Sequence, residues 1–154
     1  MAVGSDLSFP GVAFRTAPAP ALSRMRTVVV DDSDTFLQVT FHLLDLEEVI
    51  DLVAAASDGV EAIDTVVRLK PALVVMDVSM SGLDGLSLSS LLARMSWTPR
   101  VILMSSEDSP ELRAASERAG AFAFVHKANF RRELEEVLER LFENHRPLSW
   151  RATA

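Results

Sequence analysis

Five short apolar runs alternate with five segments of helical periodicity, and this alternation most strongly constrains the fold. The runs predict strands at residues 28–30, 52–56, 73–76, 101–104 and 122–125. Apolar residues at helical spacing follow each run, over residues 36–44, 62–69, 86–95, 110–120 and 130–142. Strand–helix alternation with nearly continuous apolar strands predicts an α/β fold, with a five-stranded parallel sheet covered by helices on both faces.

Local signals mark the ends of several predicted helices. Asp58 is followed three residues later by Glu61, which resembles a capping box. Ser109 precedes Pro110, the order expected for an N-cap and a first helical residue, and Gly120 is placed to end the same helix. These end signals do not depend on the spacing of apolar residues, and they support the same predicted helices.

Composition excludes several classes of site. The 154 residues suit one domain with spare chain at its ends. The absence of cysteine excludes disulfides, thiolate metal sites and a cysteine nucleophile. A formal net charge of -7 disfavours binding to nucleic acid. No apolar run approaches the length of a membrane span, so we expect a soluble, cytoplasmic protein with no membrane partner.

The two ends of the chain differ from its centre. Residues 1–24 are rich in Ala, Pro, Gly and Ser, show no helix or strand period, and predict a flexible N-terminal extension. Residues 25–143 hold all the predicted elements, and residues 144–154 form a C-terminal tail without a clear period. Whether translation starts at Met25 stays open.

Polar residues follow all five predicted strands, with Ser57 and Asp58 after the second. Asp31 and Asp32 follow the first strand, Asp77 the third, Ser105 the fourth and Lys127 the fifth. In an open α/β sheet, ligands bind outside the carboxyl ends of the strands. We therefore expect these side chains to lie near one another at one edge of the sheet.

This set of residues has a consistent chemistry. Three carboxylates at one edge repel each other unless a hard cation such as Mg²⁺ joins them. An ammonium group can neutralise a bound phosphoryl oxygen, and a hydroxyl can donate a hydrogen bond to another. An aspartate can itself attack phosphorus and form an acyl phosphate. The pattern is typical of a phosphorylatable aspartate with its metal and phosphate ligands.

Five segments of the sequence carry a resemblance to a known family. They are VVVDD (28–32), ASDGVEA (56–62), VVMDVSMSGLDG (74–85), VILMSS (101–106) and GAFAFVHK (120–127). Together they resemble a response-regulator receiver domain of two-component signalling, of the stand-alone, single-domain type, from residue 27 to about residue 142. The resemblance implies a (βα)5 flavodoxin-like fold with strand order 2-1-3-4-5.

The resemblance also implies residue roles around a metal ion. Asp77 would accept the phosphoryl group. Asp32 and Asp77 would bind Mg²⁺ directly, Asp31 would act through water, and the backbone carbonyl of Ser79 would be a further ligand.

Other roles implied by the resemblance concern the phosphoryl group and the response to it. Lys127 and Ser105 would hold phosphoryl oxygens, and Ser105 and Phe124 would form the switch. Ser106 is an alternative for the hydroxyl role, and Phe124 could equally be a core aromatic residue. The helix that follows Ser109, the fifth strand and the last helix would read out the state.

The implied function is signalling rather than conventional enzyme activity. A histidine kinase or histidine phosphotransfer protein would donate the phosphoryl group, and the domain would catalyse its own phosphorylation and dephosphorylation. The downstream partner would be an unknown protein or a second copy of this chain, giving a homodimer.

Two positions depart from the family pattern. Ala128 follows Lys127 where the family usually has proline, often in a cis peptide. Because a non-proline cis bond costs roughly 3–4 kcal/mol, the sequence favours a trans joint. Ser81 stands where proline is common, which favours a more mobile loop.

Two other functions remain open on the sequence. Asp32 and Asp34 also resemble the first motif of haloacid dehalogenase-type phosphatases, as nucleophile and general acid, with Ser105 and Lys127 in the later motifs. That alternative lacks a cap domain and leaves Asp77 unexplained. The second alternative is a receiver-like binding module that is not phosphorylated in use.

Overall fold

The computed structural model describes residues 24–143 and contains a five-stranded parallel sheet. The strands are β1 (Met25–Val30), β2 (Ile50–Ala56), β3 (Leu73–Asp77), β4 (Arg100–Ser105) and β5 (Ala123–His126). The helices are α1 (Asp34–Asp45), α2 (Gly59–Leu69), α3 (Gly85–Leu92), α4 (Pro110–Arg118) and α5 (Phe130–Glu143). The strand order is β2-β1-β3-β4-β5, which confirms the predicted flavodoxin-like α/β fold.

Helices cover both faces of the sheet and enclose two apolar layers. One layer joins Leu44 of α1 and Leu138 of α5 to strand residues such as Val75. The other joins the helices α2, α3 and α4 to the opposite face, which includes Val74. Since neighbouring residues of a strand point to opposite faces, Val74 and Val75 serve different layers, and both are fully buried. Because both faces of the strands are buried, the strands appear in the sequence as continuous apolar runs.

Several element boundaries differ from those predicted. β2 begins at Ile50 rather than Leu52 because parallel pairing with β1 starts at Met25 and Ile50. α3 ends at Leu92 rather than near Met95, because the next backbone bonds span three residues, from Arg94 N–H to the Leu91 carbonyl among others. These differences depend on pairing and turn geometry, which periodicity does not report.

The predicted helix signals are confirmed, with one change of partner. The Asp58 side chain accepts a hydrogen bond from the Glu61 N–H at 2.8 Å. The Glu61 carboxylate accepts a hydrogen bond from the N–H of Ser57 at 3.1 Å, rather than from that of Asp58. Ser109 caps α4, and Gly120 has a φ of 81° just beyond the end of that helix.

The connection between β5 and α5 is a short 3₁₀ turn, Lys127–Asn129. No peptide bond in residues 24–143 is cis, so the joint at Ala128 is trans, as the sequence favours. The turn passes directly into Phe130, the first residue of α5.

The structure leaves some predictions about the chain ends open. The predicted extension at residues 1–24, apart from Arg24, and the predicted tail at residues 144–154 lie outside the described residues. Among the helices that the structure describes, none is long and apolar enough to cross a membrane.

Candidate functional site

The predicted polar residues converge at the carboxyl edge of the sheet. Asp31 directly follows β1, Asp77 and Ser105 are the last residues of β3 and β4, and Lys127 directly follows β5. The parallel ladders align these ends, since Val30 pairs with Met76 and the next ladder extends to Asp77. Topology therefore brings together side chains that are far apart along the chain.

Three carboxylates form a compact cluster at this edge. Asp31, Asp32 and Asp77 each offer an oxygen within 4.8 Å of the others. Asp31 is fully buried, Asp77 is 5 % exposed, and Asp32 faces solvent. The Ser33 N–H donates to Asp31 Oδ1 at 2.9 Å and fixes the orientation of that carboxylate.

Lys127 provides the positive charge beside this cluster. Its Nζ lies 2.7 Å from Asp31 Oδ2 and 3.4 Å from Asp77 Oδ2, so the tighter ion pair is with Asp31. The Lys127 side chain is only 13 % exposed, and screening by solvent is correspondingly weak. One ammonium against three carboxylates leaves two negative charges, which suits a divalent cation.

The environment of Asp77 opposes its ionisation. Burial raises the pKa of Asp77 above its ordinary value, and the nearby charge of Asp31 raises it further. The Lys127 ammonium and the Ser79 N–H, which donates to Asp77 Oδ1 at 3.4 Å, act in the opposite direction. A bound divalent cation would favour the ionised carboxylate, so the donor set and its charge fit such an ion.

The two candidate hydroxyl groups differ in burial. Ser105 is 3 % exposed, ends β4, and its Oγ accepts a hydrogen bond from the Glu107 N–H at 3.0 Å. Ser106 is exposed, and its carbonyl lies 3.1 Å from Nε2 of His126. Ser105 is thus the buried residue of the two, and it ends its strand at the carboxyl edge of the sheet.

Phe124 lies in β5, paired with Leu103 of β4. Its ring is partly buried against the layer formed by α2, α3 and α4. The guanidinium of Arg113, from α4, lies 4.8 Å from the ring centroid. Arg113 in turn makes two hydrogen bonds to Asp108, at 2.6 and 2.9 Å.

Two residues at the site were not identified from the sequence. Phe36 of α1 places its ring 4.2 Å from Lys127 Nζ, although its spacing predicts only a core-facing helix residue. Glu133 of α5 accepts a hydrogen bond from the His126 N–H at 2.6 Å. The charged residues between 131 and 136 predict a solvated helix face that includes Glu133, but the Glu133 side chain is only 19 % exposed and its carboxylate contacts the end of β5. No local signal distinguishes it from its acidic neighbours.

An open groove lies beside the carboxylate cluster. Its volume is about 570 Å³. Its lining residues are Asp32, Val78, Ser79, Met80, Ser81, Asp84 and Leu86. The groove leaves the side of the cluster nearest Asp32 accessible from solvent.

Comparison with known protein families identifies this fold. Residues 27–139 match the response regulator receiver domain model, which is most of the chain. The chain belongs to this family. Membership of this family is consistent with phosphoacceptor function, and the carboxylate cluster is compatible with Mg²⁺ binding.

Individual relatives agree with this assignment. A protein-glutamate methylesterase/protein-glutamine glutaminase of Myxococcus xanthus is 37% identical over 69% of this chain and 31% of its own length. The response regulator domain of Thermotoga maritima CheB is 30% identical, with a TM-score of 0.69 over 80% of this chain and 98% of that domain. The signal receiver domain of a NarL protein from Mycobacterium tuberculosis is 25% identical, with a TM-score of 0.71 over 80% of this chain and 97% of that one.

The length of the match limits what it implies. This chain spans about a third of the methylesterase that it resembles. The similarity thus concerns a receiver domain, and it does not carry the activity of the longer enzyme over to this chain.

Proposed function

We propose that this receiver domain is a phosphoacceptor response regulator of a two-component or phosphorelay system, and that Asp77 accepts the phosphoryl group. The observation that carries the proposal is the position of Asp77. It is buried at the end of β3, 3.4 Å from Lys127 Nζ and within 4.8 Å of two further carboxylates. A histidine kinase or histidine phosphotransfer protein would be the donor.

Asp31, Asp32 and Asp77 are the residues that would hold Mg²⁺, with the Ser79 backbone carbonyl as a further ligand. Bound Mg²⁺ would neutralise charge shared between the carboxylates and the phosphoryl oxygens. The exposed Asp32 borders the open groove, so a metal ion and a donor can both reach this side of the cluster.

The transfer step uses the carboxylate of Asp77 as nucleophile. A carboxylate oxygen attacks phosphorus, a new O–P bond forms, and the bond from phosphorus to the donor atom breaks with its electron pair leaving on the donor. Lys127 would contact one phosphoryl oxygen, and the Ser105 hydroxyl would donate a hydrogen bond to another. Attack by water on the acyl phosphate would later restore the carboxylate and release inorganic phosphate.

Phosphorylation would shift the domain between two states. Ser105 and Phe124 would form the switch, since Ser105 ends β4 and its strand neighbour β5 carries Phe124. The surface of α4, β5 and α5 would bind an unknown downstream protein or a second copy of the chain. We place this signalling in the cytoplasm.

Family membership argues against the phosphatase alternative with Asp32 as nucleophile and Asp34 as general acid. Asp77, rather than Asp32, shares the Lys127 ammonium with Asp31. One observation favours the alternative of a receiver-like binding module that is not phosphorylated in use, which we call the silent module. Lys127 lies closer to Asp31 than to Asp77.

Intact mass measurement with a small phosphodonor tests the proposal. We expect the protein with Mg²⁺ and acetyl phosphate or phosphoramidate to gain one phosphoryl group. The gain should be absent in Asp77→Asn and in EDTA. Retained Mg²⁺ binding, with neither a mass gain nor a beryllofluoride complex, would instead identify a silent module.

A further inference from the structure

Phe36 links α1 to the joint that carries Lys127. It lies in the first turn of α1, and its ring is partly buried against the core. Lys127 Nζ lies over one face of the ring, 4.2 Å from the ring centroid. The same ring meets Phe130 in an edge-to-face arrangement, with centroids 4.8 Å apart and planes at 71°. Since Phe130 is buried at the start of α5, the two rings form a fixed aromatic support.

The ammonium of Lys127 has neighbours on three sides. Asp31 Oδ2 lies at 2.7 Å, Asp77 Oδ2 at 3.4 Å, and the Phe36 ring centroid at 4.2 Å. A lysine side chain has four flexible bonds and a charge without strong directional preference, so two carboxylates alone permit several positions. An aromatic face attracts the cation and also blocks movement toward it. The ring therefore limits the ammonium to the side of the two buried carboxylates.

The backbone around Lys127 has a separate support. The His126 N–H is held by Glu133 of α5 at 2.6 Å, and the following 3₁₀ turn has no side-chain cap at its N-terminus. Ala128 in this turn is exposed and forms a trans peptide. α5 thus fixes the backbone just before Lys127. The ring of Phe36, from α1, contacts the ammonium group at the end of the Lys127 side chain.

We propose that Phe36 is a positioning residue that acts through Lys127, and that its ring face holds the ammonium where it meets the incoming phosphoryl oxygens of Asp77. The proposal rests on the proposed function. It predicts that loss of the aromatic face slows phosphoryl transfer, while replacement by another aromatic residue of similar size does not.

The first test compares three variants with the wild-type chain in Mg²⁺ and acetyl phosphate. We expect Phe36→Leu to lower the maximum rate of phosphorylation about tenfold, with little change in the donor concentration at half-maximum. Phe36→Tyr keeps a ring face and should stay within about threefold of wild type. Phe41→Leu makes the same change on the same helix at a residue that is 36% exposed, and should leave the rate unchanged.

A double-mutant cycle separates positioning from general loosening of the fold. In a Lys127→Met background, Phe36→Leu should cause no further loss of rate, because the ammonium group through which Phe36 acts is already absent. Equal losses in both backgrounds, or a Tyr variant as slow as the Leu variant, would overturn the proposal. Thermal unfolding of each variant shows whether it is folded at the assay temperature.

Proton NMR of the lysine side chain tests the contact without any phosphodonor. In the wild-type chain the Phe36 ring current should shift the ε-methylene protons of Lys127 upfield, and Phe36→Leu should remove that shift. An unshifted wild-type resonance would overturn the aromatic contact even if Asp77 is phosphorylated. A shifted resonance in a protein that takes up no phosphoryl group would instead overturn the proposed function, and with it the role of Phe36 in transfer.

Discussion

Asp77 is held in a site that disfavours its own charge. It is 5 % exposed, and its pKa is raised first by burial and then by the charge of Asp31. Lys127 offsets only part of this effect, because its ammonium is shared with Asp31 at the shorter distance. A carboxylate whose charge the protein compensates poorly gains more from binding a cation or forming an acyl phosphate.

Neutralising Asp77 should therefore stabilise the fold when no divalent cation is present. We expect Asp77→Asn to raise the free energy of unfolding at neutral pH in EDTA by on the order of 1 kcal/mol. Urea unfolding monitored by circular dichroism measures the difference. Saturating Mg²⁺ should shrink or reverse it, and a variant less stable than wild type in EDTA would contradict this account.

The difference in free energy of unfolding between wild type and Asp77→Asn should depend on pH with a definite sign. Because the pKa of Asp77 is raised in the folded state, that state binds the proton more tightly than the unfolded chain does. The free energy of unfolding should then fall as pH rises from the ordinary value of 3.8 through the raised pKa. Urea unfolding of wild type and Asp77→Asn over this range should show their difference growing with pH, and a constant difference would exclude Asp77 as its source.

Removing the charge of Lys127 should have the opposite effect on stability. Lys127→Met leaves the fully buried Asp31 without its cation, and we expect a loss of about 3 kcal/mol in EDTA. Lys70 is the matched control, since it is exposed and lies 5.7 Å from the Trp97 ring. Chemical unfolding of Lys127→Met and Lys70→Met compares them directly, and equal losses would show that Asp31 does not depend on Lys127.

At the scale of elements, two close backbone approaches fix the loop between β3 and α3. The N–H of Gly85 donates to the Val78 carbonyl at 2.9 Å. A β-carbon at Gly85 would collide with the Asp77 carbonyl oxygen, and one at Gly59 would collide with the backbone of Leu83. The loop after Asp77 thus lies against its own strand and against the start of α2.

Gly85→Ala should consequently disturb the site as well as the fold. We expect it to cost about 2 kcal/mol of stability and to slow phosphorylation of Asp77, because the collision is with the backbone of that residue. Gly120→Ala is the control, since its φ of 81° also makes alanine unfavourable, far from the carboxylates. Unfolding and intact mass kinetics should show two destabilised variants, of which only Gly85→Ala is slow. Normal kinetics in Gly85→Ala would mean that the loop adapts.

At the scale of the whole molecule, metal binding at the carboxylate cluster would be coupled to folding. A cation that binds only the folded domain stabilises it by about 2.7 kcal/mol at a hundredfold excess over its dissociation constant. We expect Mg²⁺ to raise the melting temperature of the wild-type domain. Asp32→Asn alters an exposed residue and should change stability without metal by no more than about 0.5 kcal/mol, yet it should abolish the Mg²⁺ effect. A full Mg²⁺ effect in this variant would remove Asp32 from the metal site.

Much of the fold follows from local sequence patterns. The alternation of apolar runs and helical periods predicts the element order, because burial on one or both faces imposes a period on each segment. The helix signals at Asp58 and Ser109 are equally local. The site could be anticipated as well, since parallel strands bring Asp31, Asp77 and Lys127 to one edge.

The sequence by itself therefore determined the parallel α/β architecture and the set of groups that meet at its carboxyl edge. Only the tertiary structure decided how those groups pair. Lys127 and Asp31 are 96 residues apart, and the choice of Asp31 over Asp77 depends on how β5 lies against the rest of the sheet. The contacts of Phe36 and Glu133 likewise arise from α1 and α5 packing on one face. Such pairings depend on small differences in distance between segments far apart in the chain, here 2.7 against 3.4 Å from Lys127 Nζ, which no local period encodes.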